Sequence, residues 1–369
     1  MTGKPVKVGL AGCGNISGQY LENAKAFEAF DIVACADMVA ERAQEQAKKY
    51  GVSKAYGLEE VLADPEVEIV LNLTPPKAHA EVALAAIAAG KHIYTEKPLG
   101  VTREEGARVL AAAKAKGVLV GGAPDTFLGA SNQTCRKAID DGAIGQPLAA
   151  ASFFLGRGME MWHPDPEFFY KPGAGPMLDL GPYSLTTLVS LLGPVRRVSG
   201  TATIGLPERL VTSEPKRGTR IKVEVPTTVI GVLDFANGAA GTVITSFDVW
   251  SQGYPFLEIY GTEGTLRIPD GTSMYSGPVQ LLKGGADTWE ELPLVNGYTD
   301  YNRGIGVADM AMAIRTGRPH RASGELTYHV LDIMQAFHDA SEQGKHIILG
   351  STCTQPKALP TDLPFGKLD

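Results

Sequence analysis

The sequence predicts two domains: an α/β domain built on a parallel sheet, then an α+β domain whose sheet is mostly antiparallel. Short apolar runs alternate with helical stretches up to about residue 121, and later strands follow one another without helices between them. The length of 369 residues also exceeds what one ordinary hydrophobic core supports. We therefore predict a first domain at residues 1–125 and a second at residues 126–369.

The first domain consists of strand–helix repeats, a pattern that requires crossover connections and covers a parallel sheet on both faces. Its strands are predicted at Val6–Ala11, Asp31–Ala36, Ile69–Leu73, Lys91–Tyr94 and Val118–Gly121. Its helices are predicted at Tyr20–Ala29, Ala40–Tyr50, Ala78–Ala89 and Arg103–Lys116. Ligands of such open sheets collect at the C-terminal ends of the strands.

The second domain carries segments in which apolar and polar residues alternate, as in half-buried strands. These segments are Leu148–Leu155, Thr228–Phe235, Ala240–Phe247, Leu257–Tyr260 and Thr265–Ile268, with a hairpin signal at Asn237-Gly238. Helices are predicted at Ser131–Asp141, Tyr183–Leu192, Gly306–Arg315 and Leu326–Glu342, and a loop or arm at 204–226. One sheet face stays uncovered, and we expect it to join the subunits of a homodimer or homotetramer.

The composition is that of a globular protein, with 44% hydrophobic and 20% charged residues. The net charge is −7, and the Lys and Arg residues are scattered along the chain. A nucleic-acid surface needs clustered cations, so nucleic acid is not expected as a partner. The seven histidines lack metal-ligand spacing with each other or with the four cysteines, and we predict no metal site.

Three features predict a cytoplasmic protein without a membrane partner. The four cysteines form no CxxC pair, which favours a reducing compartment. The N-terminal residues lead directly into a strand without the apolar run of a signal peptide. No apolar stretch approaches the length of a membrane span.

A glycine-rich segment, GCGNIS at residues 12–17, follows the first strand and opens the first helix. Gly12 permits a tight turn, and Gly14 lets the main chain approach a pyrophosphate held at the helix N-terminus. Ser17 occupies the third small position, where Gly or Ala is usual. The pattern predicts a dinucleotide site formed by Gly12, Gly14, Asn15 and Ile16, with a purely structural turn as the alternative.

Asp37 ends the second strand of this strand–helix–strand unit. A carboxylate there accepts hydrogen bonds from the adenosine ribose hydroxyls and repels a 2′-phosphate. The next basic residue, Arg42, is predicted to point outward from a helix. We therefore expect NAD rather than NADP as the cofactor.

Two loops that follow later strands contribute further candidates. Thr74 and Pro75 put main chain where it can flank the nicotinamide ribose, and His79 either contacts the cofactor or packs as a helix histidine. Glu96 and Lys97 follow another strand, so we expect both beside the cofactor. The ammonium of Lys97 can hold and help deprotonate a substrate hydroxyl, although a surface lysine at a strand end fits the position equally well.

Asp179 and Tyr183 lie in the segment GAGPMLDLGPY at residues 173–183. Pro182 is tolerated only in the first turn of a helix, so these two side chains flank a helix N-terminus. A carboxylate, a phenol and an ammonium that converge on a nicotinamide suit hydride transfer, in which a substrate hydroxyl loses its proton as its carbon loses hydride. The alternatives are a helix-capping carboxylate and a packed aromatic ring.

On these motifs the chain resembles the Gfo/Idh/MocA oxidoreductase family over nearly its whole length. The resemblance rests on GCGNI at 12–16, TPP followed by His79, GKHIYTEKP at 90–98 and DLGPY at 179–183. It implies a Rossmann domain, a second domain with an open-faced sheet, a tightly held NAD(P) and a sugar or polyol substrate. Lys97 corresponds to the catalytic lysine and Asp179 to its carboxylate partner; whether Lys97 or Tyr183 is the base stays open.

The resemblance also bears on the substrate. Many inositol dehydrogenases carry histidine at the position of Tyr183. With tyrosine there, this chain more closely resembles the branches of the family that oxidise aldoses and dihydrodiols. This favours oxidation of a cyclic aldose at C1 to the lactone, with a pentose or a branched pentose such as apiose as the candidate. Asp125 stands where family members carry a polar residue near the substrate. Further candidates for the substrate site are Arg157, Trp162, His163, Asp165, Arg303 and His329.

Three other functions fit the same resemblance. An inositol or polyol dehydrogenase would use the same residues. An NAD-dependent glycosidase would oxidise its substrate transiently and release an aglycone without net NADH. A non-catalytic NAD-responsive sensor is the third, and the presence of Lys97, Asp179 and Tyr183 argues against it.

Overall fold

The computed structural model describes residues 4–268, 275–300 and 302–369. The chain divides into two compact units, each assembled from separate stretches of sequence. The first unit comprises Met1–Gln133, Val295–Tyr328 and Pro356–Asp369, and the second comprises Thr134–Leu294 and His329–Gln355. The predicted boundary at residue 125 divides the chain once, whereas each observed unit combines stretches that are separate in the sequence.

The described residues of the first unit form a six-stranded parallel sheet in the order β3-β2-β1-β4-β5-β6. The strands are β1 Val6–Ala11, β2 Phe30–Ala36, β3 Lys54–Tyr56, β4 Ile69–Asn72, β5 His92–Thr95 and β6 Val120–Gly122. The helices are α1 Ser17–Ala24, α2 Ala40–Tyr50, α3 Leu58–Ala63, α4 His79–Ala88, α5 Arg103–Lys116 and α9 Ile305–Thr316. This strand order is that of a doubly wound dinucleotide-binding sheet, as the alternating pattern predicts.

Local signals account for the helix that matches its prediction most closely, α5. Thr102 Oγ1 accepts a hydrogen bond from the Glu105 N–H (3.2 Å), and the Glu105 carboxylate accepts one from the Thr102 N–H (3.3 Å). The helix ends at Gly117, whose φ of 70° is left-handed. A capping box and a C-terminal glycine thus define both ends.

Tertiary packing explains where the first helix departs from its prediction. Helix α1 ends at Ala24 rather than Ala29, because Phe27 turns inward and packs on Phe30 at 5.8 Å and on Tyr298 at 6.3 Å between ring centroids. The elements β3 and α3 were not predicted, since three- and six-residue elements are too short to show a clear periodicity.

The described residues of the second unit form a nine-stranded sheet in the order β16-β15-β14-β13-β7-β12-β11-β8-β17. Its strands are β7 Pro147–Leu155, β8 Val195–Thr203, β11 Thr228–Phe235, β12 Ala240–Ser246, β13 Leu257–Gly261, β14 Gly264–Ile268, β15 Val279–Lys283, β16 Glu290–Leu292 and β17 Ile347–Ile348. The pair β7–β12 is parallel and the other pairs are antiparallel. The mostly antiparallel sheet is confirmed.

Helices pack on one face of this sheet. They are α7 Pro176–Asp179, α8 Gly181–Leu192 and α10 Gly324–Gln343, and α6 Ala130–Asp140 contacts α8 through Arg136, which donates to the Ser190 carbonyl at 3.1 Å. A Cβ added at Gly231 of β11 would lie 2.2 Å from the Phe337 ring, so glycine is required where α10 meets the strand. Ser152 of β7 donates to Ser184 of α8 at 2.8 Å. The alternate residues of β11, Ile230 and Val232, are 40% and 47% exposed and mark the uncovered face.

The segment 204–226, predicted as a loop or arm, contains a short hairpin. Strands β9 Glu208–Leu210 and β10 Arg220–Lys222 pair antiparallel. Arg209 anchors the hairpin, because its buried guanidinium forms ion pairs with Glu160 (3.1 Å) and Asp248. Strands β8, β15, β16 and β17 were also not predicted. The polar residues that interrupt β8 conceal its alternation.

The described residues also define helix lengths, clusters of metal-ligand side chains and the burial of the cysteines. None of the helices formed by residues 4–268, 275–300 and 302–369 has the length and apolar character needed to cross a membrane. In the same part of the chain, no group of three or more His, Cys, Asp or Glu side chains could hold a metal ion. The four cysteines are all buried.

His329, suggested as a pocket residue, instead lies in the interior of the second unit. Its Nε2 accepts a hydrogen bond from the Val195 N–H (3.0 Å), and its Nδ1 lies 2.8 Å from the Ser351 hydroxyl. That hydroxyl in turn donates to Asp332 (2.7 Å). Burial lowers the pKa of His329 from 6.5 to about 4, and Asp332 offsets this only in part. Both ring nitrogens thus have protein partners, and the suggested substrate contact of His329 stays a prediction.

The lowered pKa predicts a pH-dependent loss of stability. Below pH 6.5 His329 is protonated in the unfolded chain but stays neutral in the folded chain. The free energy of unfolding therefore decreases as the pH falls toward 4. His329 accounts for up to about 3 kcal/mol of this decrease. Denaturant titrations at several pH values should show a weaker dependence for His329→Gln than for wild type. His346→Gln, at an exposed position, is the control; equal slopes for all three proteins would contradict the assignment.

Candidate active site

Five candidate segments follow the strands of the first sheet at their C-terminal ends. The glycine-rich turn follows β1, Asp37 follows β2, Thr74 follows β4, Lys97 follows β5 and Asp125 follows β6. All six strands are parallel, so these segments lie along one edge of the sheet. From β2 to β5 this edge spans three strand spacings, about 14 Å. The strand order reverses between β1 and β4, which is where open α/β sheets bind dinucleotides.

Gly12 is required by a close approach of two backbones. Its φ is 101°, and an added Cβ would lie 2.6 Å from the carbonyl carbon of Leu73 and 2.8 Å from the nitrogen of Thr74. The Gly12 N–H donates to the Ala36 carbonyl at 2.8 Å. A side chain at this position would therefore separate the turn after β1 from the loop after β4.

The structure around Gly14 fits a bound dinucleotide. Among the described residues beyond its two chain neighbours, no heavy atom lies within 4 Å of a Cβ added at Gly14, so the backbone is open on that side. Ser17, the departure from the usual glycine or alanine, is buried and its hydroxyl donates to the Gly14 carbonyl at 2.6 Å. Helix α1 begins at Ser17, which places a helix N-terminus next to the open side of the turn.

Asp37 connects the turn to the end of β2. Its Oδ2 accepts a hydrogen bond from the Cys13 N–H (2.8 Å), and its Oδ1 accepts one from the Val39 N–H (2.9 Å). Each carboxylate oxygen has two acceptor sites, so both can also receive ribose hydroxyls. The two backbone contacts fix the direction of the carboxylate before any ligand binds.

His79 links the loops after β4 and β5. Its Nδ1 lies 2.6 Å from the Pro98 carbonyl and its Nε2 lies 2.7 Å from the Thr74 carbonyl. The side chain is 1% exposed, and burial lowers its pKa even though both carbonyls favour the protonated ring. The structure thus places His79 between backbone carbonyls, and its predicted cofactor contact stays a prediction.

Glu96 lies at the centre of a buried cluster in the first unit. Its Oε1 accepts hydrogen bonds from the Tyr20 hydroxyl (2.9 Å) and from Arg303 Nη1 (2.8 Å), and its Oε2 accepts one from the Lys97 N–H (3.0 Å). Burial opposes ionisation, but Arg303, Lys97 and the Tyr20 hydrogen bond outweigh it and lower the pKa of Glu96. Glu96 is therefore a buried anion next to Lys97.

Asp125 caps the helix that follows Arg303. Its Oδ2 accepts hydrogen bonds from the N–H groups of Gly304 (3.0 Å) and Gly306 (3.1 Å), at the start of α9. Asp125 is fully buried and Arg303 is 5% exposed. The structure gives both residues contacts inside the first unit, and their predicted contacts with a sugar stay predictions.

In the second unit, Asp179 and Tyr183 flank a helix N-terminus as the sequence predicts. Asp179 ends α7, and α8 begins at Gly181 with Pro182 in its first turn. Tyr183 is 8% exposed, and its ring lies 6.2 Å from that of Phe154 in β7. The packed ring fixes one end of the tyrosine, so its hydroxyl has a defined position within this unit.

The other substrate candidates lie on one stretch of the second unit. Trp162 is 64% exposed, and its ring lies 5.5 Å from that of His163. Asp165 forms an ion pair with Lys216 (2.7 Å), and the Arg157 guanidinium lies 4.1 Å from the centre of the Trp250 ring. The four candidate side chains are aromatic or charged and at least partly exposed, and their predicted contacts with a sugar stay predictions.

Sequence reasoning did not identify two residues that organise the strand ends. Tyr20 bonds to Glu96, and Asn72 donates to the His79 carbonyl (3.0 Å) while accepting from the Thr74 hydroxyl (2.6 Å). Asn72 could have been found, because an amide at the end of an otherwise apolar strand is unusual. For Tyr20, the signal in the sequence is a phenolic hydroxyl on the apolar side of α1, where it needs a buried hydrogen-bond partner.

Comparison with known families assigns most of the chain. Residues 6–122 match the family model described as oxidoreductase family, NAD-binding Rossmann fold. Residues 132–267 match the model of the GFO/IDH/MocA C-terminal domain. These matches confirm the predicted two-part fold, the oxidoreductase class and NAD as the cofactor.

Two curated relatives and one solved structure illustrate the similarity. Levoglucosan dehydrogenase of Pseudarthrobacter phenanthrenivorans is 31% identical over 61% of this chain and 62% of that protein, slightly less than two thirds of its length. 1,5-Anhydro-D-fructose reductase of Ensifer adhaerens is 30% identical over 70% of this chain and 74% of that protein.

The solved structure is that of levoglucosan dehydrogenase in complex with NADH and levoglucosan. It superposes with a TM-score of 0.80 at 25% identity and covers 94% of this chain and all of that one. Both family models, the second relative and this superposition agree in fold and class. The chain therefore belongs to the Gfo/Idh/MocA family and is an NAD-binding oxidoreductase.

Proposed function

We propose that this oxidoreductase oxidises a hydroxyl group of a sugar or polyol with NAD. The specific reaction that we propose is oxidation of a cyclic aldose, a pentose or branched pentose such as apiose, at C1 to the lactone. The observation that carries the proposal is the placement of Lys97 after β5, on the same sheet edge as Gly12 and Asp37. This placement supports an ammonium ion beside the nicotinamide end of a dinucleotide.

The proposed cofactor residues are those of the sheet edge. Gly12, Gly14, Asn15 and Ile16 would hold the pyrophosphate, and Asp37 would bind the adenosine ribose. Further cofactor contacts are proposed for Thr74, Pro75, His79, Glu96 and Lys97. Bound NAD supplies the hydride acceptor for the oxidation.

The proposed catalytic residues are Lys97, Asp179 and Tyr183. Either Lys97 or Tyr183 takes the proton of the substrate hydroxyl, and Asp179 orients the reacting group. The phenol of Tyr183 suits this role because its packed ring limits its motion. The surface formed by Arg157, Trp162, His163 and Asp165 is proposed to bind the rest of the sugar, with the exposed Trp162 ring as a stacking face.

The curated relatives support a sugar or polyol as substrate. One is named for levoglucosan, another for 1,5-anhydro-D-fructose, and an inositol 2-dehydrogenase of Salmonella is 36% identical over 39% of this chain. An absorbance screen for NADH over aldoses, polyols and sugar acids tests the substrate class, and identification of the product as a lactone tests the C1 position. Activity confined to polyols would exclude the aldose reaction. Release of an aglycone without net NADH would favour a glycosidase.

Replacing Lys97 tests its proposed role. Lys97→Ala should lower kcat by about 100-fold or more, because a positioned proton-transfer group contributes that much. Binding of NADH, measured by fluorescence titration, should stay close to wild type. Lys116→Ala, on the exposed end of α5, is the matched control and should keep full turnover. Near-normal turnover of Lys97→Ala would refute the assignment.

Replacing Asp37 tests cofactor choice. Asp37→Asn removes the charge that attracts ribose hydroxyls and repels a 2′-phosphate. It also loses one of the two backbone hydrogen bonds, because an amide has a single acceptor oxygen. The ratio of the Kd for NADH to that for NADPH should rise about tenfold or more, since hydrogen bonds to a charged group are worth about 1.5–3 kcal/mol. Asp31→Asn, at the opposite end of the same strand, is the control. An unchanged ratio in Asp37→Asn would contradict the proposed ribose contact.

We also propose that two or four copies associate through the open sheet face in the cytoplasm. Ile230 and Val232 project from this face, whereas their neighbours Val229 and Leu233 are fully buried on the other side. A double variant, Ile230→Glu with Val232→Glu, should run as a monomer in light scattering after size exclusion. Val39→Glu, at an exposed apolar residue of the first unit, should leave the assembly unchanged. An intact oligomer in the double variant would exclude this face.

A further inference from the structure

The buried cluster around Glu96 contains an arrangement of charge that the proposed reaction does not explain. One carboxylate receives a guanidinium, a phenol and the main-chain N–H of the residue next to it. Tyr20 is 1%, Arg303 5% and Glu96 8% exposed, so water does not screen these contacts effectively. Burial, together with the charge of Glu96, raises the pKa of Tyr20, which therefore stays a hydrogen-bond donor.

Two cations act on this one anion. The charge of Arg303 and that of Lys97 both favour the ionised form of Glu96. Arg303 makes a direct ion pair at 2.8 Å with Oε1. A buried carboxylate without a counter-ion is costly, so a Glu96 that lost Arg303 would attract the nearby ammonium of Lys97.

Arg303 is itself held from both sides. Its carbonyl accepts a hydrogen bond from the Asn23 side chain of α1 (3.0 Å). The next residue, Gly304, has φ of 104° and donates to Asp125 at 3.0 Å. The main chain at Arg303 is therefore held in place. Both this main chain and the ion pair keep the guanidinium at Glu96.

We propose that Arg303 is a positioning residue, which as counter-ion of Glu96 keeps that carboxylate from capturing the Lys97 ammonium needed by the substrate. The same carboxylate fixes the Lys97 main chain through its N–H. Arg303 therefore acts on turnover through Glu96, without contact to the sugar. This inference rests on the proposed function, because it takes Lys97 as the catalytic lysine.

The first experiment separates this role from the substrate contact expected for Arg303. In Arg303→Met, kcat should fall about 10- to 100-fold, while KM for the sugar and Kd for NADH stay within about threefold, as for a displaced catalytic group. Arg303→Lys, which keeps the charge, should recover most of the turnover. A raised KM at constant kcat would overturn the proposal and assign Arg303 to substrate binding.

The second experiment tests the charge argument. If Arg303→Met acts by leaving Glu96 to capture Lys97, then adding Glu96→Gln removes the competing anion. The double variant should turn over several-fold faster than Arg303→Met alone, since the two residues act as one unit. A double variant whose loss is the product of the single losses would overturn the proposal.

Folding and the proposed function are controlled separately. Thermal melts are recorded for each variant. Should Arg303→Met fail to fold, Arg303→Gln takes its place, because its amide can still donate to Glu96 but carries no charge; it should lower kcat at constant KM. Unchanged kcat in a folded Arg303→Gln would then overturn the proposal. Normal turnover of Lys97→Ala would refute the proposed function itself. An inactive Lys97→Ala with a fully active Arg303→Met would refute only the positioning role.

Discussion

The close approach of two backbones at Gly12 is the constraint on which the first unit's candidate site depends. Only glycine allows the turn after β1 to lie against the loop after β4, because an added Cβ would meet main-chain atoms at 2.6–2.8 Å. The loops after the other strands lie on either side of this contact, in the order of the strands in the sheet. Asp37 reaches back to the Cys13 N–H on one side, and His79 connects the loops of Thr74 and Pro98 on the other. The sheet edge is thus a set of loops tied to one another by short polar contacts.

What the sequence could predict was local. The turn at residues 12–17, the acid at Asp37 and the strand before Lys97 each depend on a few consecutive residues, and the family models confirm the fold and class that they indicated. Helix α5 was predicted at both ends, and the capping box and glycine that define those ends are local features adjacent to the helix. Short strands such as β3 and β16 were not, since three residues cannot establish a period.

The contacts of the candidate residues could not be predicted in the same way. Asp125 was expected near the substrate from the family resemblance, and Arg303 was named as a further candidate for the substrate site. Their partners, Glu96 and the N–H groups of Gly304 and Gly306, lie far away in the sequence and carry no pattern that points to them. A polar side chain in a single sequence does not reveal whether it faces a ligand or another part of the chain.

The discontinuity of the first unit has a consequence for how the chain is made. Glu96 and Arg303 are 207 positions apart, and the longer stretch of the second unit, Thr134–Leu294, lies between them in the sequence. During translation Glu96 leaves the ribosome long before Arg303, whose guanidinium is the counter-ion of this carboxylate. Until then the carboxylate must stay hydrated or protonated, so the sheet edge around Lys97 can reach its final packing only after synthesis has passed residue 303. An N-terminal fragment would retain the six strands but lack the cation that neutralises their buried acid.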